Sequence, residues 1–147
     1  MAVLRRIATL GFVGYLPFAP GTWGSLVAFV FFVLLKPNPY DHIIVLLILI
    51  PVGVVSSDHA EKFFDTKDSS HIVIDEFCGY LLSVVLVPFS YVNALIAFFL
   101  FRFFDILKPF PIKKIESFFD GGRGIMADDI MAAIYTNVVL QIWKLIH

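Results

Sequence analysis

Two pairs of adjacent carboxylates, Asp75-Glu76 and Asp128-Asp129, stand at the margins of long uncharged apolar runs. A further acid, Asp105, follows Arg102 by three residues at the margin of another run. Ionisable groups placed there are costly and are functional candidates by default. Simpler roles exist for some of them. Asp75 and Asp128 could each cap a helix N-terminus, and Arg102 with Asp105, spaced i,i+3, could be a plain ion pair on one helix face. Capping does not explain the second carboxylate of each pair, because two neighbouring acids repel unless a cation neutralises them, and the arrangement occurs twice. Hard divalent cations such as Mg²⁺ take oxygen ligands, commonly one or two carboxylates together with substrate phosphate and water. Asp75, Glu76, Asp105, Asp128 and Asp129 are therefore the candidate metal ligands and catalytic groups, provided the fold brings them to one place.

Glycine-rich stretches flank these acids. Gly21-Thr22-Trp23-Gly24-Ser25 follows Pro20, and Gly121-Gly122-Arg123-Gly124 precedes Asp128-Asp129. Small residues leave backbone N–H groups open, and loops that end at a helix N-terminus bind phosphate readily; such turns also serve simply to begin a helix. Beside Arg123, Lys108 and a carboxylate cluster they fit an anionic lipid phosphate. Other nucleophiles and ligands are poorly supported. His59, His71 and His147 lack the H-x₃-H spacing of a zinc site. Cys78 is the only cysteine, which excludes an intramolecular disulfide framework, and its apolar surroundings suit a small buried hydrophobe.

The elements that must position these groups are apolar throughout. Of 147 residues, 59% are apolar and only 16% charged, whereas soluble domains sit near 45–50% and about 25%. A domain of this size cannot hide that excess inside itself. Disorder is excluded by the same numbers, and nucleic-acid binding by the near balance of 11 basic and 12 acidic residues. The expectation is a single-domain, all-α polytopic membrane bundle, residues 1–147, with about four to five short helices and its polar site at one end. The uncharged runs are Ile7–Leu35 (broken at Pro17–Gly21), Ile43–Val55, Phe77–Phe101 and Ile130–Trp143. They lack the alternation of a β-barrel. Arg5-Arg6 followed by Ile7–Phe12 is no signal peptide, since no A-x-A-like cleavage site follows; the arginines read as a cytoplasmic anchor.

The third run is either one span or a helical hairpin turning at Pro88-Phe89-Ser90-Tyr91. The charge distribution favours the hairpin. It gathers residues 1–22, 58–76, 105–129 and the adjoining helix ends on one side. That side carries Arg5, Arg6, Lys62, Lys67, Arg102, Lys108, Lys113, Lys114 and Arg123, and the other only Lys36 and Lys144. Such a split predicts that the shared side is cytoplasmic. Every acid except Asp41 falls on it as well, with Asp128-Asp129 expected to open the last helix.

Four blocks carry a family resemblance: Pro20-Gly21-Thr22-Trp23-Gly24-Ser25-Leu26, Ile72 through Gly79, Phe101 through Ile112, and Gly121 through Asp129. In this order, and across most of the chain, they resemble the signature blocks of the phosphatidylglycerophosphatase A family. The R-x₂-D-x₂-K-P-x-P-I and G-G-x-G-I-M-x-D-D patterns are the most specific. The resemblance implies a multi-pass enzyme of the bacterial inner membrane that uses Mg²⁺ to hydrolyse phosphatidylglycerophosphate to phosphatidylglycerol and phosphate. It places the family's acids on Asp75, Glu76, Asp105, Asp128 and Asp129, its cations on Arg102 and Lys108, and its glycine-rich segment on Gly21, Thr22, Gly24 and Ser25. Position 123 is not fixed in the family.

On this reading the five acids hold one or two Mg²⁺ at the cytoplasmic interface. Thr22, Ser25, Arg102, Lys108 and Arg123 contribute to phosphate binding, and a metal-bound water attacks phosphorus in line. An aspartyl nucleophile is the alternative. The partners implied are an anionic phospholipid and the bilayer, with no nucleic acid. Two other classes compete. A CDP-alcohol phosphotransferase needs D-G-x₂-A-R with further aspartates at fixed spacing, and Asp120-Gly121-Gly122-Arg123 with Asp128-Asp129 has the wrong order. A non-enzymatic ion-pathway subunit would hold its acids facing one another at midplane depth, not at helix ends.

Overall fold

A computed structural model describes all of residues 1–147. The chain is helical throughout: α1 (Ala2–Ala8), a 3₁₀ turn (Val13–Tyr15), α2 (Pro20–Leu35), α3 (Pro39–Phe64), α4 (Ile74–Ser83), α5 (Tyr91–Leu107), α6 (Ile112–Phe118) and α7 (Gly122–Ile146). There are no strands. The expected four to five short helices are thus corrected to seven α-helices, two of them long. At about 1.5 Å per residue, α3 and α7, of 26 and 25 residues, reach roughly 37–39 Å, more than the ~30 Å apolar core of a bilayer. Both are long and apolar enough to cross a membrane. The apolar run underestimates α3 because Ser56, Ser57, Asp58, His59 and Glu61 continue the helix beyond it; helical hydrogen bonding does not require apolar side chains. The extra helices, α1 and α6, are only seven residues each.

Helix boundaries follow local chemistry. Asn38 caps α3, its Oδ1 accepting from the N–H groups of Tyr40 and Asp41 at 3.1 and 3.0 Å, with Pro39 at the first helical position. Ser90 caps α5 by accepting from the Asn93 N–H at 2.9 Å, while Asn93 Nδ2 donates back to the Pro88 carbonyl at 3.0 Å. The turn expected at Pro88–Tyr91 is therefore present, and α4 and α5 form the hairpin.

Five helices, α2, α3, α4, α5 and α7, run alternately up and down. Short α4 is the innermost, packed by α2, α3, α5 and α7, and eight of its ten residues are buried. Tyr80, Leu81, Phe101, Ala97, Ala132 and Ala133 form the centre of the core. Tyr80 ties α4 to α5 through its hydroxyl, which donates to the Ala94 carbonyl at 3.0 Å. Cys78 is buried and unpaired, as its surroundings suggest. The outside is apolar too: Leu34, Ile44, Leu47, Ile48, Val92, Phe99, Ile142 and Leu145 are all exposed. Faces of this kind on a small chain mark contact with lipid or another apolar partner.

This alternation puts the starts of α2, α4 and α7 and the ends of α3 and α5 at one end of the bundle, with α1 and α6 beside them. Lys36, His42 and the Pro88 turn lie at the other, where Phe32, His42 and Phe89 line one cavity.

Candidate active site

Close approach of helices builds the site. Gly79, one turn into α4, faces the Phe101 ring of α5: a methyl there would lie 2.5 Å from Phe101 Cζ and 3.3 Å from Asp129 Cβ of α7. Gly21 at the start of α2 is pressed against the Glu76 carboxylate, and a methyl on it would lie 3.2 Å from Arg102 Nη1. A methyl on Gly24 would lie 2.9 Å from the Val73 carbonyl oxygen. These glycines let three helices converge on Asp75-Glu76.

All five candidate acids meet there. Oxygens of Asp75, Glu76 and Asp129 lie within 4.8 Å of one another, and so do those of Asp105, Asp128 and Asp129. Asp75, Asp128 and Asp129 are 7%, 6% and 2% exposed, so water does little to separate their charges. Two cations enter the cluster. Arg102 Nη1 pairs with Asp105 Oδ2, the i,i+3 pair expected, and lies 3.9 Å from Glu76 Oε1. Lys108 adopts a left-handed conformation (φ 47°) that ends α5, its N–H donating to the Phe104 carbonyl. Its Nζ donates to Asp128 Oδ2 at 2.7 Å and to Glu116 Oε2 at 2.8 Å. Burial opposes the Lys108 charge, but these two carboxylates outweigh it and hold its pKa above that of ordinary lysine.

The cluster remains incomplete as a protein-only network. Asp75 Oδ1, Glu76 Oε2, Asp128 Oδ1 and Asp129 Oδ2 are buried without a hydrogen-bond partner, and so is the donor Arg102 Nε. Native interiors satisfy nearly all buried polar atoms, so four orphaned carboxylate oxygens at one place fit a hard cation. An all-oxygen donor set with no histidine or cysteine suits Mg²⁺, Mn²⁺ or Ca²⁺ rather than zinc.

Several sequence expectations are corrected by placement. Asp75 and Asp128 cap no helix: Val73 and Gly121 occupy those positions, and neither makes a side-chain cap. Asp128-Asp129 do not open α7 but lie nearly two turns inside it, because the helix already begins in the glycine stretch, with the N–H groups of Gly124 and Ile125 donating to the Gly121 carbonyl. That stretch packs on α3, where a methyl on Gly122 would lie 2.6 Å from the Asp58 nitrogen. Arg123 is exposed and lines a separate cavity of about 550 Å³ with Val54, Val55, Asp58, Phe118, Phe119 and Asp120. Ser25 is buried and its hydroxyl donates to the Gly21 carbonyl at 2.9 Å, so its proton is already engaged. Thr22 is half-buried on the first turn of α2, and its own N–H donates to the Ala19 carbonyl. The acids, Arg102 and Lys108 are thus brought together, with Gly21 and Thr22 beside them and Arg123 apart.

Glu116 on α6 is the residue that sequence reading missed. It lies outside the apolar margins that flagged the other acids; its position eight residues beyond Lys108, across a Pro-rich turn, was the available signal. His71 is structural: its Nδ1 lies 2.8 Å from the Gly14 carbonyl, and its ring stacks on Tyr15 at 4.9 Å.

The sequence profile of the phosphatidylglycerophosphatase A family matches residues 6–144. A phosphatidylglycerophosphatase A of Haemophilus influenzae is 38% identical over 133 residues, covering 86% of this chain and 82% of that protein. The protein of the same name from Escherichia coli is 34% identical over 131 residues, 86% of this chain and 75% of its own. A protein of Bacteroides thetaiotaomicron named putative phosphatidylinositol-3-phosphatase is 33% identical over 138 residues, 88% of this chain and 86% of its own. No solved structure matches the chain.

Proposed function

Since the chain belongs to the phosphatidylglycerophosphatase A family, we propose that it is a divalent-cation-dependent lipid phosphatase. Its substrate on this reading is phosphatidylglycerophosphate, whose terminal phosphomonoester it hydrolyses to give phosphatidylglycerol and phosphate. The observation that carries the reading is the set of four orphaned carboxylate oxygens beside an unpartnered Arg102 Nε: acceptors for a cation and a donor for a phosphate oxygen in one buried place. Asp75, Glu76, Asp105, Asp128 and Asp129 would hold the cation, with Mg²⁺ the expected ion, and when bound it neutralises phosphate charge and polarises phosphorus.

The chain's own groups supply the rest. Arg102, fixed by Asp105, directs its free Nε–H at a phosphoryl oxygen. Lys108, held by Glu116 and paired with Asp128, adds a second positive charge. A carboxylate oxygen with no donor of its own accepts a proton from the attacking water. Phosphorus gains the water oxygen as its bond to the glycerol oxygen breaks; the glycerol oxygen takes up a proton from solvent, and the carboxylate then releases to solvent the proton it accepted. The exposed apolar faces of α2, α3, α5 and α7 would keep the acyl chains in lipid. The charge split between the two ends supports a multi-pass inner-membrane orientation with the site at the cytoplasmic face.

The test is phosphate release from phosphatidylglycerophosphate by detergent-purified protein, with Mg²⁺, with EDTA, and with Asp129→Ala. Release that requires both the cation and Asp129 is expected; release in EDTA, or full activity of Asp129→Ala, refutes the assignment. The name of the Bacteroides relative favours a second reading in which the headgroup is a phosphoinositide, so phosphatidylinositol 3-phosphate belongs in the same assay.

A further inference from the structure

The acids do not form one undivided cluster. They form two groups, Asp75–Glu76–Asp129 and Asp105–Asp128–Asp129, each with its oxygens within 4.8 Å of one another, and Asp129 is the residue common to both. Unsatisfied atoms are present on each side. Asp75 Oδ1 and Glu76 Oε2 belong to the first group, Asp128 Oδ1 to the second, and Asp129 Oδ2 to the shared residue; all are buried without a hydrogen-bond partner. A single cation within the first group leaves the Asp128 oxygen orphaned, and one within the second leaves those of Asp75 and Glu76.

Charge points the same way. The five acids and Glu116 face two cationic side chains, Arg102 and Lys108, and Asp68 adds a further carboxylate within electrostatic reach of Lys108, Asp105 and Asp75. That excess of negative charge is more than one divalent cation neutralises. Where paired metals act on phosphoryl groups they stand about 3.5–4 Å apart, a separation that one carboxylate can bridge.

We propose that the site holds two divalent cations, one bound by Asp75, Glu76 and Asp129, the other by Asp105, Asp128 and Asp129, with the Asp129 carboxylate as their common ligand. The proposal rests on the lipid-phosphatase reading only for the class of ion. The two positions are unequal. Asp105 is engaged by Arg102, and Lys108 already donates to Asp128 Oδ2 at 2.7 Å, so both of the second position's own acids carry a competing cation. In the first, only Glu76 has a cationic neighbour, Arg102 at 3.9 Å. The Asp75–Glu76 position fills first.

Mn²⁺ alone is the probe, titrated calorimetrically and by electron paramagnetic resonance into the full chain in detergent. Two ions per chain are expected, with the second converting an isolated six-line signal into an exchange-coupled one. Asp105→Asn is expected to retain one tight, uncoupled ion. Asp129→Asn is expected to lose the coupling and to weaken both steps about tenfold or more, since even an outer-shell change costs that much. A single ion per chain in the wild type overturns the proposal, as do two ions that stay uncoupled or that Asp129→Asn leaves untouched. In each of those cases cation-dependent phosphate release would leave the phosphatase reading standing. Phosphate release in EDTA by a chain that binds no Mn²⁺ overturns both.

Discussion

Asp129 should make the folded protein less stable than it need be. It is 2% exposed, its Oδ2 has no partner, and oxygens of Asp75, Glu76, Asp105 and Asp128 crowd around it. Asp129→Asn keeps the side chain's size and removes its charge. The new amide N–H groups can donate to neighbouring carboxylates that lack a donor. Leaving a buried polar group unsatisfied costs about 1–3 kcal/mol, and more when it is charged. Relieving that cost in the cation-free protein should raise its stability by about the same amount. For a chain of this length each kcal/mol moves the melting temperature by roughly 2–4 °C, so a rise of roughly 2–12 °C is expected.

Cation should reverse the order. A ligand at a hundredfold excess over its dissociation constant stabilises the folded state by about 2.7 kcal/mol per site; the wild type receives that gain at both sites, while Asp129→Asn, which binds about tenfold or more weakly, receives about half of it at most. The assay is thermal unfolding of both proteins in detergent, in EDTA and then in Mg²⁺, alongside phosphate release. Crossing of the two melting curves, with activity confined to the wild type, is the expected outcome. A variant that melts below the wild type in EDTA would show that Asp129 is a structural residue. Equal Mg²⁺ shifts in both proteins would show that it is no ligand. Either result refutes the reasoning.

Two further outcomes are expected. Glu116→Gln removes one of the two carboxylates that hold Lys108 and should lower kcat several-fold with little change in KM; Glu116→Asp should recover part of the loss, which steady-state kinetics on the lipid substrate would check. Gly79→Ala puts a methyl 2.5 Å from Phe101 Cζ, and because Phe101 is wholly buried the ring cannot yield without moving α5. The overpacking should cost about 1–3 kcal/mol and lower the melting temperature, and activity should fall with it because Arg102 and Asp129 ride on the displaced helices.

What the sequence made legible was whatever depends on local spacing or on hydropathy. Arg102 and Asp105 pair because i and i+3 share a helix face, and Pro88 and Ser90 mark the hairpin turn because one cannot continue a helix and the other caps the next. The alternation of charged and uncharged stretches put the acids at one end. Packing was less legible. Gly121-Gly122-Arg123-Gly124 read as an open loop, yet α7 already begins at Gly122, where side chains have no room: a methyl on Gly122 would meet Val54 and Asp58 of α3, and one on Gly124 the Phe119 carbonyl. Once that stretch is helical, Arg123 lies five residues before Asp128, about 140° round the helix at 3.6 residues per turn, and faces away from the acids. Glu116 was invisible for a related reason: α6 has only seven residues, and Lys108 reaches it across a turn.

The same packing explains how so unfavourable a cluster is tolerated. Burying like charges opposes folding, and nothing in the acids' own interactions offsets it fully, since four of their oxygens find no donor. The offset lies beneath them. Phe101, Tyr80, Leu81, Ala97, Ala132 and Ala133 are buried to within about a percent, and each large apolar side chain withdrawn from water contributes about 1.5–3 kcal/mol. Gly21 and Gly79 matter to both halves of this balance: without a Cβ they allow the helix contacts that stabilise the core, and through those contacts they force the carboxylates together. A looser bundle would relieve the repulsion by separating the acids, and would lose the preformed oxygen cage with it. The rigidity of α4 between α2, α5 and α7 is therefore what maintains a cation site in a protein that would be more stable without one.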